Sequence, residues 1–167
     1  MYYGVLYMNK KKFTISIIVL IIDQILKLLV QTFSTNISVI KNFFAITYYQ
    51  NTGAAWSILE GQQVLLIVVA VVMLVVVYSM MFSFEENKLT NFAFGVLFGG
   101  IVGNLIDRIL FGYVRDFIAF TIFGYHFPIF NIADVAIVVG VILLIIDTIK
   151  GEIKNGNRSR RKLTKNW

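Results

Sequence analysis

Long apolar runs broken at short intervals by polar residues dominate this chain, and four of them approach the ~20 residues a helix needs to cross a bilayer. They cover 13–30, 61–84, 89–108 and 129–149. The second is uncharged between Glu60 and Glu85 and rich in Val, Leu and Ile. In water such a run reads as strand or helix alike, but lipid offers backbone groups no partners and so selects the helix. The pattern predicts an all-α membrane protein with four transmembrane helices, a single integral-membrane domain over 1–167, outer segments at 31–60 and 109–128, and a tail at 150–167. In the first outer segment, ISVIKNFFAITYY (37–49) mixes β-branched and aromatic residues in partial alternation, which predicts short strands on the membrane surface. Stretch 117–133 is uncharged, yet Gly124, Tyr125, His126 and Pro128 interrupt it too often for a straight span, so a re-entrant or interfacial element is expected. Residues 1–7 receive no assignment.

Composition agrees: 58% of residues are hydrophobic and 14% charged, far from the balance of a water-soluble domain. The net charge of +6 would raise the question of nucleic acid in a soluble protein, but here the placement of the charges matters more. Lys10, Lys11 and Lys12 precede the first span and Lys88 separates the second from the third. Lys150, Lys154, Arg158, Arg160, Arg161, Lys162 and Lys165 follow the fourth, leaving only Lys27, Lys41, Arg108 and Arg115 elsewhere. Basic residues stay on the cytoplasmic side, so both termini are expected there. The basic tail then serves topology and attraction to anionic lipid, with no folded basic face for nucleic acid. The N-terminal lysines and apolar run imitate a secretory signal, but Asp23 interrupts the run and no small-residue cleavage site follows, so an uncleaved span is expected. With no Cys and one His, His126, disulfides, thiolate ligands, a Cys nucleophile and a multi-His centre are excluded. No metal and no cofactor is expected. Gly95, Gly99 and Gly103 recur every four residues, which permits close helix contact within one chain and favours a monomer over a dimer built on that stripe.

The acids change the picture from membrane protein to candidate enzyme. Asp134 interrupts FNIADVAIVVGVILLIID, where a buried charge costs about 2.5–3.5 kcal/mol on insertion scales. Counting back from Lys150 at 1.5 Å per residue places it about 24 Å up the fourth span. The third span reaches its outer end at Asp107 and Arg108, and Asp116 follows shortly after. Asp116 and Asp134 are therefore expected at one level, just under the outer surface. Two carboxylates in a site of low dielectric share a proton, one acting as base and the other as acid, which with a water between them is the apparatus of an aspartic protease. A Ser-His-Asp triad would rest on His126 alone, with no Ser in a nucleophile elbow. Asn131, three residues before Asp134, is expected on the same helical face, and Asn104, Asp107 and Arg108 gather at the top of the third span. Asp107 and Arg108 read equally as an ion pair at a helix end. Asp23 and Lys27 stand at i, i+4, a spacing for a structural pair. NTGAAW offers Asn51 and Gly53 in a turn. A proton-coupled transporter with Asp23, Asp116 and Asp134 as relay stays open, although most polar residues gather at one end and no internal repeat is visible. A purely structural subunit leaves the paired acids without a role.

Five segments carry a resemblance: DQILK (23–27), NTGAAWS (51–57), GGIVGNLIDR (99–108), VRDFI (114–118) and FPIFNIAD (127–134). In order and spacing they resemble the motif regions of lipoprotein signal peptidase, the type II signal peptidase of bacteria. The resemblance implies a four-span aspartic endopeptidase of the cell membrane with a small extracytoplasmic β cradle. Such an enzyme cleaves the signal peptide from diacylglyceryl-modified prolipoproteins on the N-terminal side of the lipidated cysteine, near the outer leaflet. It implies Asp116 and Asp134 as the catalytic pair; Asn51, Gly53, Asn104, Arg108, Asn131 and Ala133 as residues that position substrate; and Asp23, Lys27 and Asp107 as supports. Globomycin-like peptides are expected as inhibitors. Arg115 stands where an apolar residue is often found in the family, and its position next to Asp116 leads one to expect an effect on that acid's pKa.

Overall fold

The computed structural model describes residues 8–33, 36–54, 56 and 58–164, with 155–164 by backbone alone; residues 1–7, Ala55 and Ser57 of the turn motif, and the end of the tail from Lys165 lie outside it. In chain order the elements are α1 (Lys10–Phe33), β1 (Asn36–Ile40), β2 (Phe44–Asn51), α2 (Gln63–Met80), α3 (Lys88–Phe111), β3 (Val114–Ile122), β4 (Tyr125–His126) and α4 (Ile132–Thr164). All four helices are long and apolar enough to cross a membrane. The helix α3 is the axis of the bundle: it packs against α1, α2 and α4 and is mostly buried, whereas the other three turn most of their apolar surface outward. Ile18, Ile25 and Leu28 on α1, Val64, Val72 and Val75 on α2, and Val138 and Ile145 on α4 are all exposed. In water that would be an aggregate; in lipid it is the solvated surface.

Because lipid tails are as apolar as Leu, close packing of backbones has to hold such helices together. The glycines of α3 do this on two faces. A Cβ at Gly99 would lie 2.7 Å from the Ser16 carbonyl oxygen of α1, and one at Gly100 would lie 2.5 Å from the Ala133 carbonyl oxygen of α4. Gly95 and Gly103 also face α1, against Ile15 and Asp23, so the four-residue stripe is an intrachain seam. Asn87 caps α3, accepting from the Leu89 and Thr90 N–H groups while Thr90 Oγ1 accepts from the Asn87 N–H. Gly112 ends the helix in a left-handed conformation at φ 76°.

The strands form one antiparallel sheet in the order β1-β2-β3-β4. β1 and β2 lie where ISVIKNFFAITYY predicts strands. Stretch 117–133, expected as a re-entrant or interfacial element, holds most of a β-hairpin. VRDFIAFTI forms β3, paired with β2 in the register Tyr49↔Asp116 and Asn51↔Val114, and turns at Phe123 and Gly124, both with positive φ, into β4. The residues that break a helical reading thus make a tight hairpin turn. The helix limits also differ from the hydropathy runs: α1 and α3 are longer at both ends, α2 stops at Met80, and two helices start late. Gly61, at φ 77°, delays α2 to Gln63, and Phe130, bridged to Ile118 of β3, delays α4 to Ile132. At its far end α4 continues through the basic tail to Thr164.

Candidate active site

The bridge between Phe130 and Ile118 builds the site. The Phe130 carbonyl accepts from the Phe117 and Ile118 N–H groups, and the Phe130 N–H donates to the Ile118 carbonyl. This pins the start of α4 beside β3, so residues far apart in sequence become neighbours. Asp116 projects from β3 and Asp134 stands in the first turn of α4. Asn131 caps that helix instead of riding on its face. Its Oδ1 accepts from the Asp134 N–H at 3.0 Å while Asp134 Oδ2 accepts from the Asn131 N–H at 3.1 Å, a reciprocal cap.

Three asparagines orient the two acids. Asn131 Nδ2 donates to Asp116 Oδ1 at 2.6 Å and to Asn104 Oδ1 at 3.1 Å. Asn104 Nδ2 donates to Asp134 Oδ1 at 2.7 Å, and Asn51 Nδ2 donates to Asp116 Oδ2 at 2.8 Å. Asn51 in turn accepts from the Gly53 N–H, and Arg108 Nη2 reaches the Gly53 carbonyl at 3.2 Å. Every oxygen of the two carboxyl groups has a donor. Neither acid has a salt-bridge partner among the described residues, and Arg108 acts on both only as a nearby charge. Burial pushes the Asp116 carboxyl up, and the charge of Asp134 pushes it further. The amides of Asn51 and Asn131 and the more distant Lys27 pull it back only in part, leaving it at about 7.

Beneath this pair lies a second acidic group with a different solution. Asp23 and Lys27 of α1 do pair, at 2.8 Å, and Lys27 also meets Asp107 at 3.3 Å and donates to Asn104 Oδ1 at 3.0 Å. The remaining oxygen of Asp23 accepts from the Ala133 N–H at 3.0 Å, which satisfies an orphan donor at the start of α4. Asp23 is thus fully engaged in holding α1 to α4, which removes its motive as a relay station. Asp107 and Arg108 form no ion pair: successive helix residues point about 100° apart. Asp107 instead takes Arg115, at 2.7 Å from Nη2, and Arg108 turns toward Gly53.

Arg115 corrects an expectation. Its side chain turns away from Asp116, because neighbours on a strand face opposite ways, and the main shifts of that acid come from other groups. Its guanidinium lies buried under the sheet, bonded to Asp107, Gln24 and Gln31 and stacked 4.5 Å over the Phe111 ring. Gln24 also escaped the sequence reading, although it is an unexplained polar residue one position from Asp23. Its Nε2 donates to Asp23, to Asp107 and to the Gly103 carbonyl.

The acids open into a cavity of about 920 Å³, walled chiefly by apolar side chains such as Leu66 and Met73 of α2 and Val135 and Val138 of α4. A family model described as signal peptidase (SPase) II matches residues 15–150. The chain belongs to the signal peptidase II family. As a signal peptidase II it is a peptidase and a multi-pass membrane protein. It is similar to the lipoprotein signal peptidases of Staphylococcus aureus strains Newman and N315, each 41% identical over 152 residues, which is 86% of this chain and 93% of theirs. Two solved structures of bacterial membrane enzymes, obtained by the in meso method, share 39% of its sequence with TM-scores of 0.75 and 0.73. The match covers 86% of this chain and 90% and 96% of theirs. The family match over 15–150 spans all four strands as well as most of the bundle.

Proposed function

We propose that the protein is an intramembrane aspartic endopeptidase that removes the signal peptide from diacylglyceryl-modified prolipoproteins, cutting on the N-terminal side of the lipidated cysteine. The observation that carries this reading is the pair Asp116 and Asp134, joined through Asn131 at one apolar cavity with no cation among the described residues bonded to either. Such a pair keeps one proton between its members near neutral pH. The ionised carboxylate takes a proton from water, and the resulting hydroxyl attacks the scissile carbonyl carbon. The protonated partner passes its proton to the carbonyl oxygen. Collapse of the tetrahedral diol breaks the C–N bond as a proton returns to the leaving nitrogen, giving a new carboxyl on the signal peptide and a free amine on the cysteine. Asn51, Asn104 and Asn131 hold both carboxyl groups; Arg108 lines the cavity where the peptide backbone lies, Gly53 holds Arg108 through its carbonyl, and the buried Ala133 ties the start of α4 to Asp23.

The cavity wall fits a substrate anchored by acyl chains. α2 and α4 both lean on α3 but make little contact with each other, so the space between them is open along apolar side chains toward the surrounding lipid. Lateral entry of an acylated peptide requires such a path. The basic residues at the opposite end of the bundle favour cytoplasmic termini and a site near the outer leaflet. The lipidated prolipoprotein is then the partner, and globomycin-like peptides compete for the same cavity. Purified protein in detergent is expected to cleave a diacylglyceryl-modified prolipoprotein, and Asp116→Asn and Asp134→Asn each to abolish cleavage. Full activity in either variant overturns the dyad.

A further inference from the structure

At the end of the bundle remote from the acids, a groove of about 420 Å³ runs between the first turns of α1 and α3. Asn91 at this groove and Asn104 at the acid pair are separated by roughly 20 Å along α3, so the two cavities are distinct. Lys10, Lys11 and Lys88 line the groove, and no carboxylate does. None of the three has a salt bridge among the described residues. The nearest acid that bonds to this end of α1, Glu86, is engaged elsewhere: Asn9 Nδ2 donates to it at 2.9 Å and Lys12 Nζ lies 3.5 Å from it. Lys12 itself is turned inward, buried, over the Phe94 ring. Three cations are therefore left facing a recess where no salt bridge among the described residues neutralises them.

A second feature points to a ligand. Asn91 lines the recess and is only 7% exposed, yet its buried Oδ1 has no hydrogen-bond partner among the described residues. A buried acceptor left empty is costly, and the matching ligand carries a hydroxyl donor. Thr14 adds a hydroxyl beside it, and Ile15 and the exposed Phe92 ring supply an apolar edge continuous with the lipid-facing surface.

We propose that this groove is a binding site for an anionic glycerophospholipid whose headgroup bears a hydroxyl. Its phosphate sits among Lys10, Lys11 and Lys88, a headgroup hydroxyl donates to Asn91 Oδ1, and an acyl chain runs along Phe92 and Ile15. Basic pockets between helix ends are suited to such headgroups, and charge complementarity favours a lipid over a peptide because the recess opens where acyl chains already lie.

The test is native mass spectrometry of the full chain released from mixed micelles, with phosphatidylglycerol, phosphatidic acid and phosphatidylcholine of equal chain length in turn. Phosphatidylglycerol is expected to be retained at least tenfold more than phosphatidylcholine and severalfold more than phosphatidic acid, and inorganic phosphate at millimolar concentration is expected not to displace it. Replacing Lys10, Lys11 and Lys88 together by Gln, all exposed positions, is expected to bring retention down to the phosphatidylcholine level. The matched-charge control of Lys41, Lys150 and Lys154 to Gln is expected to leave it unchanged. Asn91→Leu is expected to erase the preference over phosphatidic acid while keeping that over phosphatidylcholine. Equal retention of anionic and zwitterionic lipid, undiminished retention in the Lys10, Lys11 and Lys88 variant, an equal loss in the control, or displacement by free phosphate each overturns the site.

Discussion

Asp23 and Asp107 on one side of Asn104, and Asp116 and Asp134 on the other, are four carboxylates within one hydrogen-bonded network, and the protein treats them in opposite ways. The first two are matched by Lys27 and Arg115, so that the group is close to neutral and can be buried without solvent. The second two receive only amides and backbone N–H groups, which orient a carboxyl group without fixing its charge. A carboxylate with a bonded cation has no reason to exchange its proton. One without a cation, beside a like charge and at the edge of a cavity, is poised to do so. The lesson is that burial alone does not distinguish a structural acid from a reactive one; the identity of the donors does.

Substitutions separate the two groups by what they damage. The largest effect is expected on cleavage: Asp116→Asn lowers the rate by on the order of 10³-fold while the protein stays folded, because the amide keeps the bonds from one side and loses only the proton chemistry. Asp107→Asn is expected to do the reverse. It leaves the buried Arg115 without a carboxylate partner and Lys27 with Asp23 alone, costs about 3–5 kcal/mol of stability, and lowers the thermal unfolding temperature in detergent; adding Arg115→Gln recovers part of that loss. Gly100→Val, whose Cβ meets the Ala133 carbonyl, is expected to cost about 1–3 kcal/mol and to shift α4 enough to impair both groups, read as a joint fall in unfolding temperature and rate.

Dependence on pH is the subtler separation. Asp116 binds its proton more tightly folded than unfolded, with a folded value of about 7. The stability this contributes is full below about pH 4 and is lost as pH rises through about 7. Asp116→Asn is expected to flatten that slope in thermal unfolding measured from about pH 5 to 8. Cleavage is expected to fall on the alkaline side of about 7, as the shared proton leaves a pair in which Asp134, Arg108 and Lys27 all contribute to the apparent value.

Much of this was legible before any coordinates. Hydropathy located four helices, β-branched and aromatic content located β1 and β2, and depth counting along rigid helices put Asp116 and Asp134 at one level, because a helix converts residue number into distance. What escaped was the consequence of pairing between strands. Segment 109–128 is apolar and broken, and single-segment patterns do not show that VRDFIAFTI has β2 as a partner. Without the strand, sequence adjacency sets Arg115 beside Asp116, whereas the pleat turns it to the opposite face and onto Asp107. The i, i+3 spacing sets Asn131 on a helical face for a related reason: the bridge of Phe130 to Ile118, which ends the extended chain and makes Asn131 a cap, joins residues that are not near in sequence.

Asp116 and Asp134 are expected to hold one proton between them near neutrality, whereas Asp23 and Asp107 are bonded to cations. Infrared spectroscopy of the purified protein, following the carbonyl band of protonated carboxylic acids at about pH 6, tests it directly. One such band is predicted in the native protein, absent from the Asp116→Asn, Asp134→Asn double variant and retained in Asp23→Asn. A band that survives the double variant, or no band in the native protein, would contradict the account.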